Sequence, residues 1–125
     1  MTKIYTALAL LAAIIGLGAA EYREAVAAAS DLLETVEAAD DAAKRGDGEL
    51  IELSQKTAAS WEEHKRTLEL FLPHGELDLT DLAAEQLIVY AECGDYKNAR
   101  IALTEIANSA HALHDNEIIT IYNLM

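Results

Sequence analysis

The chain has 125 residues, which suffices for one domain, and its formal net charge of −13 excludes an electrostatic affinity for nucleic acid. Apolar residues make up 52% of the sequence but aromatic residues only 6%, because alanine is the main contributor. This composition favours packed helices over a sheet, and the single cysteine excludes an intrachain disulfide.

The amino-terminal segment is apolar and uncharged from residue 4 to residue 20, after Lys3. As a helix it spans about 25 Å, close to the roughly 30 Å of a bilayer core. We therefore predict a transmembrane helix or signal anchor at residues 1–21, through which the chain contacts the membrane. Lys3 predicts a cytoplasmic amino terminus, which places residues 22–125 outside the cytoplasm as a helical domain.

A cleavable signal peptide is the alternative for the same segment. Gly18 and Ala20 are small residues at the right offsets for cleavage before Glu21, and cleavage would release a secreted protein. The uncleaved anchor is favoured because the helical pattern continues from the apolar run into the next segment without a break.

Two helices are predicted next, with Gly46 as the stop of the first and Asp47 as the N-cap of the second. The first has a 3–4 apolar stripe at Tyr22, Val26, Ala29, Leu33, Val36 and Ala43. The second runs from about residue 48 to residue 72, with an inward stripe at Leu50, Ser54, Thr57, Trp61, His64, Leu68 and Phe71. Pro73 ends it, and His74 and Gly75 complete the turn.

A second helix pair follows. The third helix is predicted over residues 79–93, with Asp78 as its cap and Leu79, Leu82, Ala83, Leu87 and Tyr90 facing inward. Gly94 and Asp95 repeat the stop-and-cap device, and the fourth helix begins at Tyr96, with Ala99, Leu103, Ile106, Ala110 and Leu113 on its apolar stripe. The sequence thus predicts an all-α fold: an antiparallel bundle of two αα-hairpins and a short C-terminal helix at 118–125.

The turn between the third and fourth helices resembles that of a tetratricopeptide repeat over residues 90–103. The matching residues are Tyr90, Gly94, Asp95, Tyr96 and Ala99. The resemblance covers about half a repeat and implies that the two hairpins are arranged in a tetratricopeptide-like manner.

Residues 60–78 and the end of the chain resemble an uncharacterised family of short, membrane-anchored bacterial proteins, domain of unknown function 4363. The match lies at Trp61, Lys65, Leu70, Phe71, His74, Glu76, Leu77, Asp78, Glu117, Asn123 and Leu124. It implies a topology and a fold, and no activity. We interpret the stretch as a structural corner between hairpins. The candidate structural or interaction residues are Trp61, His64, Phe71, Pro73, His74, Gly75, Gly94, Asp95 and Tyr96.

Metal binding is the best chemical candidate. His111 and His114 are three residues apart on one helix, so both imidazoles can face the same way, and His74 is a possible third ligand. A divalent cation, zinc in particular, is therefore the alternative to a purely structural interpretation of these residues.

Catalysis finds little support. Ser60 and Ser109 lie on helices without the glycine turn that exposes a nucleophile, and no phosphate-binding glycine loop is present. We predict a membrane-tethered, extracytoplasmic interaction or accessory module that binds a protein partner or a membrane complex. It has no enzymatic activity and no cofactor. A zinc-binding domain is the alternative, and a hydrolase is a weaker one.

Overall fold

A computed structural model describes the backbone of residues 2–124 and the side chains of residues 2–112. It contains four helices: α1 (Thr2–Arg45), α2 (Leu50–Glu69), α3 (His74–Glu92) and α4 (Tyr96–Leu124). No strand occurs within residues 2–124, and the all-α prediction is confirmed.

The apolar amino-terminal segment and the first helix of the bundle form one continuous helix, as the unbroken pattern predicted. Burial begins at Ala25 and continues along a face made mainly of alanine, which lets neighbouring helices approach closely. The buried residues of α1 are Ala25, Ala28, Ala29, Leu32, Val36, Ala39, Ala42 and Ala43. Val26, predicted to face inward, is instead partly exposed, because the buried face is centred one residue earlier in the turn.

Identical turns end α1 and α3. Gly46 and Gly94 adopt left-handed φ angles of 63° and 69°. After each glycine an aspartate N–H returns to a carbonyl five residues back: Asp47 to Ala42 at 2.9 Å, and Asp95 to Tyr90 at 2.8 Å. This pattern supplies hydrogen-bond donors to carbonyls that would otherwise be free at the end of a helix. It favours glycine because a residue with a Cβ is strained at a positive φ.

Each aspartate then accepts hydrogen bonds near the start of the next helix. Asp95 directly precedes α4, as predicted, but α2 begins at Leu50 with Glu49 at its N-cap, so the prediction of Asp47 as the cap is wrong by two residues. Asp47 Oδ1 accepts a 3.0 Å bond from the N–H of Glu49. Asp95 accepts 3.2 Å and 2.7 Å bonds from the backbone and side chain of Asn98. Both carboxylates thereby satisfy donors that would otherwise lack partners at a helix start.

The corner between the hairpins differs from its prediction. α3 begins at His74 instead of residue 79, so His74 and Gly75 are helical and Asp78 is not the cap. Pro73 has extended geometry, with ψ 145°, and its carbonyl accepts the N–H groups of Glu76 and Leu77. Pro73 thus occupies the N-cap position of α3, and its carbonyl accepts the first hydrogen bonds of the helix.

The four helices pack in a closed ring, with α1 against α2 and α4, and α3 against α2 and α4. Its largest fully buried side chains include Trp61, Leu32, Leu50, Leu68, Leu87, Leu103 and Ile106. Arg100 of α4 pairs with Asp40 of α1 at 3.0 Å across the closing contact. The antiparallel bundle of two hairpins is confirmed, and a tetratricopeptide-like arrangement of them stays a prediction.

The predicted short C-terminal helix is the last part of α4, which continues to Leu124. No glycine or proline occurs between Tyr96 and the end of the chain, so no residue in the sequence ends the helix earlier.

Candidate docking surface

The outer face of α3 exposes a row of large apolar side chains. Leu79, Leu82 and Val89 are 58%, 50% and 56% exposed, and Ile101 of α4 beside them is 57% exposed. Leu79 and Leu82 were predicted to face inward, and this part of the prediction is wrong. We call Leu79, Leu82, Val89 and Ile101 the apolar stripe.

The stripe is exposed because α3 buries a different set of residues, which consists largely of small ones: Leu77, Thr80, Ala83, Ala84, Leu87 and Ala91. α3 is therefore apolar on two sides. A helix that is apolar around most of its circumference is typical of one that is covered on more than one side. The bundle covers the inner side of α3, and the outer side is exposed within the described residues.

A shallow groove between α3 and α4 runs along the stripe. It is lined by Leu79, Leu82, Ala83, Gln86, Tyr90, Asn98, Ile101, Ala102 and Glu105. Its polar side chains are two amides, a phenol and a carboxylate, and no lysine or arginine lines it. The groove thus offers apolar contacts with a few hydrogen-bonding groups, which is the composition of a helix-binding groove.

Behind the stripe, a polar cluster of three side chains joins α2 to α3. The indole Nε1 of Trp61 donates to Asp81 Oδ1 at 2.7 Å, and Lys65 Nζ contacts Asp81 Oδ2 at 2.7 Å. Trp61 itself is fully buried, as predicted from its position on the apolar stripe of the second helix. The cluster therefore fixes the rotation of α3 about its axis and, with it, the direction in which the apolar stripe faces.

The pKa values of Asp81 and Lys65 are shifted in the directions that keep both groups charged. Partial burial acts to raise the pKa of Asp81, but the hydrogen bonds from Lys65 and Trp61 and the lysine charge outweigh it and lower this pKa overall. The hydrogen bond to Asp81 is the main cause that raises the pKa of Lys65. Both groups stay charged across the neutral range, so the cluster contributes a structural contact.

The other residues singled out at the corner are distributed around it. His64 is half-buried, with Nε2 3.5 Å from Asp31 Oδ2 of α1. Phe71 is half-buried against the core, Pro73 caps α3, and His74 and Gly75 are exposed in its first turn. These positions agree with the interpretation of a corner between the hairpins.

At the opposite end of the bundle, the two glycine turns meet. The ring of Tyr96 lies 3.8 Å from the position that a Cβ on Gly46 would occupy. Tyr96 is half-buried and packs against the core. Gly94, Asp95 and Tyr96 thus act as a structural turn that aligns the ends of α1 and α4.

The predicted metal ligands are not brought together by the described part of the chain. His111 is exposed at a groove between α1 and α4 that Glu37 and Asp40 also line. The side chain of His114 lies outside the described residues. Among the side chains of residues 2–112, no three histidine, cysteine or acidic groups form a cluster that could hold a metal ion. Zinc binding therefore stays a prediction.

The amino-terminal part of α1 is uncovered. It contains an 18-residue window with a mean hydropathy of 1.8, of which none is buried by the rest of the chain. This segment is long and apolar enough to cross a membrane, and a membrane anchor and a signal sequence share that property.

Comparison with known proteins gave one match. The pattern of the family described as Domain of unknown function (DUF4363) covers residues 20–124, which is nearly all of the bundle. No curated protein and no solved structure matched the chain. The chain thus belongs to the Domain of unknown function (DUF4363) family, as the resemblance at residues 60–78 and at the carboxyl end had indicated.

Proposed function

We propose that the chain is a membrane-tethered, extracytoplasmic interaction module whose protein partner binds over the outer face of α3. The observation that carries this proposal is the apolar stripe. Its four side chains are each half or more exposed, although every one of them belongs to a residue type that is usually buried. Covering each would contribute on the order of 1 kcal/mol, because full burial of such a side chain is worth about 1.5–3 kcal/mol.

The module acts by binding and not by catalysis. In support, the polar side chains of Trp61, Lys65 and Asp81 contact one another and join α2 to α3. A rigid bundle with a fixed exposed face is suited to docking, because little conformational entropy is lost when a preorganised surface binds.

The tether is the part of α1 before Glu21. Lys3 before the apolar segment supports a cytoplasmic amino terminus and an exported bundle. The continuous helical backbone through residues 18–21 supports retention of the anchor, because signal peptidases act on extended chain. Cleavage before Glu21 would instead give a secreted bundle with the same docking face.

Site-specific photo-crosslinking in native membranes tests the proposal. A photoreactive residue at Leu82 should give a discrete cross-linked product, whereas the same group at the exposed Gln55 of α2 should not. A topology reporter fused to the carboxyl end should be active outside the cytoplasm. The proposal would be contradicted by identical products from Leu82 and Gln55, or by a cytoplasmic carboxyl end. It would also be contradicted if a photoreactive residue gave no product at Leu82 and none when placed at Val89 instead.

A further inference from the structure

The exposed residues of α3 follow the seven-residue repeat of a coiled coil. Leu79, Leu82, Gln86 and Val89 are spaced by three, four and three residues, which is the spacing of successive a and d positions. All four are exposed. The outer face of α3 is therefore one half of a helix–helix seam for which the bundle supplies no second helix, while the inner face packs on α2 and α4.

The charges beside this seam repeat with the same period. Asp78, Glu85 and Glu92 are seven residues apart and all exposed. In the heptad that places Leu79 at a and Leu82 at d, all three occupy g, the position that pairs with charges on a partner helix. They form a line along one edge of the seam with about 10 Å between neighbours, since each residue rises 1.5 Å.

Among the side chains of residues 2–112, no lysine or arginine forms an ion pair with the acids of that edge. α3 carries five acids and no lysine or arginine. Of the five, only Asp81 is in an ion pair, with Lys65, among the side chains of residues 2–112. The basic side chains Lys44, Lys97 and Arg100 line a different groove, between α1 and α4.

We propose that the partner docks on α3 as a basic amphipathic helix, with apolar residues at its a and d positions and lysine or arginine along its edges. This inference rests on the proposed function and adds the chemistry of the partner. Charge complementarity selects this occupant over a second copy of the chain, because two α3 helices would bring the six acids of their two g lines together without a lysine or arginine from either helix. The polar Gln86 at an a position sets the register of the pair, as buried amides do in coiled coils.

The test uses the full chain in detergent micelles and a synthetic helical peptide of about 21 residues, or three heptads, as the probe. The probe carries leucine at a and d and lysine at e and g. One control peptide has glutamate at e and g, and a second has the lysine peptide's composition in scrambled order, which removes the heptad but keeps the charge. Binding is measured by titration calorimetry, and self-association of the chain by sedimentation.

We expect the lysine peptide to bind at least about tenfold more tightly than either control peptide, and its affinity to fall with added salt. The triple variant Leu79→Ser/Leu82→Ser/Val89→Ser should lose this binding. Reversal of the g line in Asp78→Lys/Glu85→Lys/Glu92→Lys should weaken the lysine peptide about tenfold and favour the glutamate peptide.

A matched reversal on α1, Glu24→Lys/Glu34→Lys/Asp41→Lys, changes the net charge equally and should alter the affinity less than about threefold. All six positions altered on α1 and at the g line are exposed, and circular dichroism melting checks that each variant folds.

Equal binding of the lysine and scrambled peptides, or no binding of the lysine peptide to the unaltered chain, would overturn the proposal. So would a dimer of the full chain that is lost in the triple serine variant, since the stripe would then bind a second copy. If Leu82 cross-links to a protein in membranes but lysine and glutamate peptides bind alike, the docking function stands and only the basic partner is refuted.

Discussion

Trp61 of α2 and Asp81 of α3 are joined by a 2.7 Å hydrogen bond from the indole to the carboxylate, and the two residues are twenty positions apart in the chain. The ring is fully buried while the carboxylate reaches the bundle surface, where Lys65 meets it. One aspartate thus satisfies the single donor of the only tryptophan and anchors the helix that carries the apolar stripe.

Replacement of Trp61 should separate packing from hydrogen bonding. Trp61→Ala should lower the free energy of unfolding by about 3–5 kcal/mol, the cost of removing a large buried side chain. Trp61→Phe keeps much of the ring volume but removes the N–H donor, so it should cost less. Urea denaturation of both variants measures the difference. A fully stable Trp61→Ala protein would contradict a core role and indicate a binding role instead.

Stability should fall in acid through Asp81. Its pKa is lower in the folded chain than in the unfolded one, so its contribution is complete above the ordinary aspartate pKa of about 3.9 and is lost as the pH falls through the folded value. Lys65 has a raised pKa, so its contribution is lost only at high alkaline pH.

The control for this pH dependence is Asp81→Asn, which keeps an oxygen acceptor for Trp61 but has no charge. The difference in melting temperature between the unaltered chain and Asp81→Asn should be largest near pH 7 and shrink toward pH 3. A difference that stays constant over this range would exclude Asp81 as a contributor to the acid sensitivity.

Glycine substitutions should have opposite signs at different positions. Gly94 has a φ of 69° with open space around it, so Gly94→Ala should destabilise by about 1–2 kcal/mol through backbone strain alone. Gly75 lies inside α3, also in open space, and Gly75→Ala should stabilise by about 0.5–1 kcal/mol. Thermal melting of the two variants distinguishes these effects, and a destabilised Gly75→Ala chain would contradict the observed start of α3.

Two buried hydroxyls one turn apart on α2 should also respond oppositely. Thr57 Oγ1 donates to backbone carbonyls, with contacts of 2.9 Å to Leu53 and 3.2 Å to Thr35, whereas the buried Ser54 Oγ has no partner among the described groups. Thr57→Val should cost about 1 kcal/mol, and Ser54→Ala should be neutral or stabilising, since it removes an unsatisfied polar atom. Equal losses in the two variants would show that Ser54 is satisfied in solution.

The helices and two of their three turns could be predicted because the signals are local. Glycine followed by aspartate predicts a helix stop, and Gly46 and Gly94 both have a left-handed φ and the same hydrogen-bond pattern, although the N-cap of α2 is Glu49 and not Asp47. Trp61 could be placed in the core from the sequence because it lies on one helical stripe with Leu50 and Leu68. The predicted start of α3 was wrong because Gly75 was interpreted as a turn residue. In the structure Pro73 is the N-cap, and Gly75 is already helical.

The exposure of the apolar stripe could not be predicted from hydropathy. Leu79 and Leu82 are large apolar residues, so a pattern based on hydrophobicity assigns them to the core, yet alanines fill much of the inner face of α3. Only contacts with α2 and α4 decide which apolar side is inward. The heptad spacing with aligned acids was present in the sequence and is the signal that would have indicated the surface. Asp81 as the indole's acceptor depends on a contact between helices that no local pattern encodes.

The unbroken course of α1 constrains the geometry of any assembly. About 25 residues of α1 lie beyond Ala20, so this rod projects roughly 37 Å past the apolar segment. α3 runs in the same direction as α1, since each turn of the antiparallel ring reverses the chain. If the apolar segment crosses a bilayer, α3 extends along α1 away from the lipid surface, and a helix bound to the exposed face of α3 extends the same way. This orientation suits a partner that is itself anchored in the same membrane.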